Sequence, residues 1–161
     1  MRRVLFVCTG NICRSPTAEG VFSKFVADAG LDGLIVVDSA GTHGYHAGEP
    51  PDPRMLVAAR ARGYDLERLR ARQVRREDFS LFDLIIGMDR DHQAILARLA
   101  PPSGTRKIRL MMEYARRFRY DEVPDPYYGG PEGFELVIDL IEDAAEGLLE
   151  SLRVELELAQ R

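Results

Sequence analysis

The chain has 161 residues, 45% of them hydrophobic, which is the size and composition expected of one globular domain. Its formal net charge of −4 and pI near 5.4 argue against nucleic acid as a bulk electrostatic partner. No apolar stretch approaches the roughly 18 residues of a membrane span, and the N-terminus lacks an apolar secretory segment. We therefore expect a cytoplasmic protein with no membrane partner.

Apolar runs alternate with helical patterns from end to end. Residues 4–7 are predicted to form a strand, and a helix follows from about 16 to 29. Ser15 is placed as the N-cap of this helix and Gly30 as its C-terminal stop. The later elements, in order, are a strand at 34–37, a loop at 41–53, a helix at 54–62, a strand at 84–88, a helix at 91–99, a strand at 107–110 and a loop at 123–131.

A long helix is predicted after the last loop, because apolar residues recur there at helical spacing. Its predicted buried face carries Phe134, Val137, Ile138, Ile141, Ala145, Leu148 and Leu152. Strands that alternate with helices indicate right-handed βαβ units and a parallel sheet covered on both sides. We expect one α/β domain over residues 1–161, with its functional site at the carboxyl ends of the strands.

Residues 7–16, V-C-T-G-N-I-C-R-S-P, lie between the first strand and the first helix. Backbone N–H groups that converge at a helix N-terminus bind a tetrahedral oxyanion, and the same field stabilises a thiolate. Arg14 adds a planar fork that can grip two phosphate oxygens. Together, Cys8 as nucleophile and Arg14 as clamp indicate phosphoryl transfer through cysteine.

The chain has only two cysteines, Cys8 and Cys13, and both belong to this motif, which excludes a structural disulfide framework. Its three histidines have no metal-ligand spacing with cysteine partners. We therefore expect neither a metal site nor a cofactor.

Asp125 is the best candidate for a general acid, because the leaving oxygen of a phosphate ester needs a proton. Prolines at 124 and 126 restrict the backbone on both sides of its carboxyl group. Tyr127 and Tyr128 supply aromatic surface beside it.

The sequence resembles the low-molecular-weight protein tyrosine phosphatase family. Beyond residues 7–16, the similar segments are 38–42, 51–54, 72–74, 82–83, 88–89 and 125–128. The resemblance implies a four-stranded parallel sheet flanked by helices in three layers (flavodoxin-like or Rossmann-like). It also implies hydrolysis of phosphotyrosine and aryl phosphate esters, with inorganic phosphate or other oxyanions as active-site ligands.

The resemblance further assigns the site residues. Cys8 is implied as nucleophile, Arg14 as phosphate clamp and Asp125 as general acid. The resemblance also implies that Cys13 can capture oxidised Cys8 as a disulfide, and the alternative is that Cys13 only packs beneath the loop. The substrate-binding residues implied are Thr9, Gly10, Asn11, Ile12, Cys13, Ser15, Tyr45, Tyr127 and Tyr128.

Two positions depart from the family pattern. Many relatives carry a histidine where this chain has Leu69, and the family's Met-Asp-x-x-Asn ends here in His92. Both positions usually belong to a hydrogen-bond network behind the phosphate loop, so the support of Ser15 and Cys8 is expected to differ.

Four alternatives remain to be weighed. An arsenate reductase on the same scaffold needs further cysteines after Cys13, and none exists. Protein-arginine phosphatases resemble the chain but carry threonine in place of Ile12, whose apolar side chain suits an aromatic leaving group better. A non-catalytic phosphate-binding module requires neither nucleophile nor acid, whereas this chain has Cys8, Arg14 and Asp125 together. A nucleotide-binding P-loop is excluded because the G-x-x-x-x-G-K-[ST] run is absent.

Overall fold

Four parallel strands form the centre of the molecule in the computed structural model, which describes residues 1–160. Their order across the sheet is β2-β1-β3-β4. The strands are β1 (Arg2–Cys8), β2 (Ile35–Gly41), β3 (Leu84–Gly87) and β4 (Ile108–Leu110). The predicted parallel sheet, including its fourth strand, is confirmed.

Five helices and two 3₁₀ turns connect and cover these strands. The helices are α1 (Arg14–Asp28), α2 (Pro53–Ala61), α3 (Asp78–Leu81), α4 (Arg90–Leu99) and α5 (Pro131–Ala159), and the 3₁₀ turns span Pro102–Lys107 and Met111–Tyr114. Within residues 1–160, no helix has the combination of length and apolar character that crossing a membrane requires.

Apolar side chains of β1 enter both layers of the core, because successive residues of a strand point to opposite faces of the sheet. Val4 and Phe6 belong to the larger cluster, with α1 and α5. Leu5 and Val7 pack in the smaller cluster on the other face. Burial on both faces explains why the strand reads as a continuous apolar run.

Helix α5 buries the face that its spacing predicts, since all seven predicted positions are at most 2% exposed. Asp143, on the same helix, is fully buried, and its carboxylate accepts the backbone N–H groups of Arg116, Arg117 and Phe118. Burial by itself raises the pKa of Asp143, but these three N–H groups bring it below the usual value. One side chain thus ties α5 to the chain that precedes residues 123–130.

The prediction that Ser15 caps α1 is wrong. The helix begins two residues earlier, at Arg14, and its N-cap is Cys13, which makes no side-chain capping hydrogen bond. The hydroxyl group of Ser15 instead contacts Cys8 and Asn11. Because those contacts take it toward the loop, the side chain is unavailable to the first turn of the helix. The short helix α3 and both 3₁₀ turns were not predicted, since they lack amphipathic periodicity.

Candidate active site

The phosphate loop, residues 8–15, connects the carboxyl end of β1 to α1. Asn11 takes a φ of 59°, a left-handed conformation that asparagine tolerates better than most residues. The loop carbonyls of Cys8, Thr9, Ile12 and Cys13 accept N–H groups of Thr42, His43, Asp52 and Thr17 respectively. These bonds fix the loop through its carbonyl oxygens and use none of its own N–H groups.

Gly41 allows β2 to lie close against this loop. It pairs in register with Cys8, and a Cβ atom at Gly41 would be 2.6 Å from the carbonyl oxygen of Thr9. Such a contact is far inside van der Waals distance. Glycine at this position therefore lets the neighbouring strand support the loop from behind.

A polar network lies directly behind Cys8. The Cys8 Sγ atom is 2.9 Å from Ser15 Oγ, and Asn11 Nδ2 donates to that same Ser15 oxygen at 2.8 Å. Asn11 Oδ1 accepts the backbone N–H of Arg72 at 3.0 Å, which fixes the orientation of the amide. Since the Ser15 oxygen accepts from Asn11, its own proton can be donated to Cys8 Sγ or to the Ala40 carbonyl oxygen, which is 3.4 Å away.

The network continues away from the loop to Glu19. Asn11 Nδ2 donates to Ser39 Oγ at 3.0 Å, and Ser39 donates to Glu19 Oε1 at 2.6 Å. Burial raises the pKa of Glu19 to about 7, although the Ser39 hydrogen bond opposes that rise. The carboxyl group therefore titrates near neutral pH. Leu69, which replaces the histidine of many relatives, packs against the apolar core and adds no cation to this network.

Arg14 connects the phosphate loop to two other segments, and its side chain is only 4% exposed. Its Nη1 atom donates to Asp89 Oδ2 at 2.9 Å and to the Val123 carbonyl at 3.0 Å. Its Nη2 atom is 3.8 Å from Asp125 Oδ2. Burial opposes ionisation of Asp89, but hydrogen bonds from the His92 N–H and from Arg14 hold its pKa below the usual value. Both hydrogen bonds are donated by Nη1, so the guanidinium is held along one edge.

His92 takes part in the support of the loop despite replacing the family's asparagine. Its Nε2 atom is 2.8 Å from Thr9 Oγ1 and 3.5 Å from Arg14 Nη2. Its side chain also completes a capping box with Asp89 at the start of α4. Burial and the nearby Arg14 charge lower the pKa of His92 to about 4, so the imidazole is neutral at physiological pH.

Asp125 belongs to the acid loop, residues 123–130, which approaches Cys8 from the far side of the pocket. Its Oδ1 atom accepts the backbone N–H of Tyr127 at 3.0 Å, and its side chain is 46% exposed. Val123 anchors the start of the loop, because it is fully buried and its N–H donates to the Met88 carbonyl at 2.9 Å.

The pocket between these two loops has a volume of about 270 Å³. Tyr45, which stacks on His43 with ring centroids 4.9 Å apart, and Tyr127 stand at its walls. Tyr128 is 92% exposed and reaches only the mouth. The residues that line the pocket are Cys8, Thr9, Gly10, Ile12, Cys13, Arg14, Tyr45, His46, Asp125, Tyr127 and Tyr128.

The structure brings all predicted catalytic residues to this pocket, while Asn11 and Ser15 lie behind the loop and not in the pocket lining. Burial, followed by the nearby Asp52 charge, raises the pKa of the Cys13 thiol well above its usual range. Among residues 1–160, no group of three or more His, Cys, Asp or Glu side chains is arranged to hold a metal ion.

Sequence reasoning missed several residues around the pocket. His46 lines it, with its ring packed so closely on Gly10 that a Cβ there would be 2.9 Å from His46 Cδ2. Glu19 and Ser39 were not assigned to the network. A lone histidine in a glycine-rich loop and a glutamate on a helix carry no local signal. Only the similarity of residues 38–42 and 88–89 to family segments pointed toward this region.

Comparison with known proteins agrees with this geometry. Residues 3–158 match the family model of the low molecular weight phosphotyrosine protein phosphatase. A putative low molecular weight protein-tyrosine-phosphatase of Synechocystis is 50% identical over 96% of this chain and 98% of its own length.

Two solved structures have the same fold. A protein tyrosine phosphatase of Entamoeba histolytica, crystallised with Hepes in its active site, superposes with a TM-score of 0.94 at 42% identity, over 96% of this chain and 99% of that one. Wzb of Vibrio vulnificus in complex with benzylphosphonate gives a TM-score of 0.81 at 29% identity, over 93% and 98%. The chain belongs to the low molecular weight phosphotyrosine protein phosphatase family.

Proposed function

We propose that the protein hydrolyses phosphotyrosine monoesters through a phosphocysteine intermediate on Cys8. The observation that carries the proposal is the shared pocket, where the Cys8 thiol, the Arg14 guanidinium and the Asp125 carboxyl group converge. Membership of the family supports the activity, and the geometry supports the role of each residue.

In the first step, the Cys8 thiolate attacks phosphorus, so that an S–P bond forms while the P–O bond to the phenol breaks. Asp125, protonated at this stage, gives its proton to the departing oxygen. The Ser15 hydroxyl, 2.9 Å from Cys8 Sγ, is placed to stabilise the thiolate before attack.

In the second step, water attacks phosphorus and the S–P bond breaks, which releases inorganic phosphate and restores the thiolate. Asp125, now a carboxylate, accepts a proton from that water. In both steps, the inward N–H groups of the phosphate loop and Arg14 bind the equatorial oxygens as charge develops on them.

The walls of the pocket favour an aromatic leaving group. A phenyl ring between Tyr45 and Tyr127 contacts aromatic surface on two sides, and Ile12 adds an apolar contact near the base. Benzylphosphonate, which Wzb of Vibrio vulnificus holds, has the same pairing of a ring with a tetrahedral oxyanion. A phosphotyrosyl protein is therefore the proposed substrate.

The test measures turnover of phenyl phosphate and of matched peptides that carry phosphotyrosine, phosphoserine or phosphoarginine, without added metal. Phosphotyrosine is expected to be the preferred peptide substrate, and acid quenching should trap phosphate on Cys8. Cys8→Ser should lose turnover yet still bind phosphate, because serine has no general base beside it. Label on histidine or aspartate would contradict the mechanism, and preference for phosphoarginine would contradict the substrate.

The assignment of residues 1–161 to a single phosphatase domain and the cytoplasmic location both stay predictions.

A further inference from the structure

An apolar groove lies beside the active-site pocket, between α2 and the start of α5. We call it the α2 groove and define it by the side chains of Pro53, Val57, Ala58, Ala61, Pro131 and Phe134. Its volume is about 490 Å³, and Gly129 and Gly130 also line it. Phe134 is 2% exposed and forms the floor, while Val57, 72% exposed, stands on the rim.

Arg54 connects this groove to the wall of the active site. Its guanidinium carbon is 5.2 Å from the ring centroid of Tyr127 and 4.8 Å from that of Phe134, so the two rings lie within 10 Å of each other. The guanidinium also makes two hydrogen bonds to the Asp52 carboxylate, at 3.0 and 2.8 Å. Arg54 is therefore a fixed bridge between the two surfaces.

The charges at the edges of the groove are already paired. Arg54 is bound by Asp52, and Glu135 accepts a hydrogen bond from Arg62 at 2.6 Å. Between these two pairs, the exposed surface is formed by aliphatic side chains, proline rings and glycine. A charged or strongly polar ligand would lose water there without gaining a partner, whereas an aliphatic side chain would gain contact.

We propose that the α2 groove binds an aliphatic side chain of the phosphotyrosyl substrate, two or three residues from the phosphotyrosine. This inference rests on the proposed function. When the phosphotyrosine side chain of a substrate passes Tyr127, the peptide on one side of it runs over Arg54 and then reaches the α2 groove. An extended chain advances about 3.3 Å per residue, so a span of up to 10 Å is covered in roughly three residues.

The experiment compares phosphotyrosyl peptides that differ at one position, with leucine, serine or lysine at each of the three positions on either side of the phosphotyrosine. For the wild type, leucine at one position two or three residues away should raise kcat/KM about 5-fold over serine, as expected for partial burial of its side chain. Phenyl phosphate provides the reference activity, because it is too small to reach the groove.

Val57→Asp places a carboxylate on the rim without touching the proposed catalytic residues. It should abolish the preference for leucine and favour lysine at the same peptide position, while kcat/KM for phenyl phosphate stays within about 2-fold. Val154→Asp is the matched control, because Val154 is also exposed. It lies on α5, about 30 Å along the helix from Phe134, so it should keep the leucine preference.

Equal use of all peptides by the wild type would overturn the proposal, as would a leucine preference that survives Val57→Asp. A wild-type dimer in sedimentation that Val57→Asp dissociates would also overturn it, because a second copy would then cover the groove. Failure to hydrolyse phenyl phosphate would instead contradict the proposed function, and this proposal with it.

Discussion

The two loops that face each other across the pocket are built in opposite ways. The phosphate loop is buried, follows directly from a central strand and is fixed by hydrogen bonds on its outer side. The acid loop is largely exposed and depends on a few anchors, chief among them Val123. The oxyanion cradle must be organised before the substrate arrives, since reorganisation during the reaction would raise the barrier. The acid has only to reach the leaving oxygen, and a more exposed loop also lets the substrate enter.

Arg14→Lys should impair both loops and have the largest effect, because Arg14 belongs to the phosphate loop and contacts Val123 and Asp125 of the acid loop. A lysine ammonium cannot bind two phosphate oxygens in one plane while also holding Asp89 and the Val123 carbonyl. We expect kcat/KM for phenyl phosphate to fall by about 10³–10⁵-fold, the range known for arginines that stabilise phosphoryl transfer. Arg90→Lys, at a side chain 61% exposed, is the control and should change little. A fall of less than tenfold would show that Arg14 is not the clamp.

Asp125→Asn distinguishes the roles of the two loops, since it should remove the general acid and leave the oxyanion cradle of the phosphate loop intact. The rate with phenyl phosphate should fall about 10²–10⁴-fold, and that with nitrophenyl phosphate much less, because nitrophenolate leaves without a proton. Phosphate affinity should stay near that of the wild type. Asp121→Asn, at a side chain 82% exposed, serves as the control. An equal loss across a series of leaving groups would make Asp125 a structural residue.

Cys13→Ser tests whether the phosphate loop protects its own nucleophile. Peroxide should convert the Cys8 thiolate to a sulfenic acid. The Cys13 thiol can then condense with this sulfenic acid, which releases water and forms a disulfide. Dithiol treatment should then restore wild-type activity but not that of Cys13→Ser, where Cys8 is oxidised further. Both cysteines are free in this structure. Equal recovery of the two proteins would leave Cys13 a packing residue.

Glu19→Gln tests the hydrogen-bond network behind the phosphate loop, and we expect it to have the smallest effect of these four substitutions. The folded protein holds a proton on Glu19 up to a pKa of about 7, against an ordinary value of 4.5. The unfolded chain releases that proton at lower pH, so this group's contribution to stability is full below pH 4.5 and is lost as pH rises toward 7.

Glutamine keeps the acceptor for Ser39 and removes the titration. Glu19→Gln should therefore be more stable than the wild type at pH 8 by about 3 kcal/mol, and equal to it at pH 4. Denaturant unfolding at several pH values measures the difference. Glu157→Gln, at an exposed carboxylate of α5, should not change the pH dependence. A constant difference between Glu19→Gln and the wild type at every pH would contradict the assignment.

Much of the fold was predictable because strands buried on both faces read as apolar runs, and α5 reads as a single amphipathic stripe. Cys8 and Arg14 were predictable because their function depends on neighbours in sequence. Ser15 was correctly placed in the motif but wrongly made the helix cap, because its hydroxyl faces Cys8 and not the first turn of α1.

The partners that hold the site together were not predictable in the same way. Glu19 meets Ser39 across 20 positions of the chain, and Arg14 meets Asp89 across 75. The contact of Arg14 with the Val123 carbonyl involves a backbone atom, which every residue possesses and no sequence pattern marks. Such contacts arise from the packing of α1 against β2 and of β3, α4 and the acid loop around β1.

The Asp143 carboxylate has a consequence for where the molecule first unfolds locally. It holds the N–H groups of three consecutive residues at 116–118, just before the acid loop, and most of that stretch is exposed and rich in arginine. Local opening there breaks only this small set of bonds, while the sheet and α1 keep theirs. Trypsin should therefore cut first after Arg116, Arg117 or Arg119, and amide protons there should exchange before those of β1. A nicked molecule would keep its oxyanion cradle, while the chain that leads into the acid loop would no longer be tied to α5.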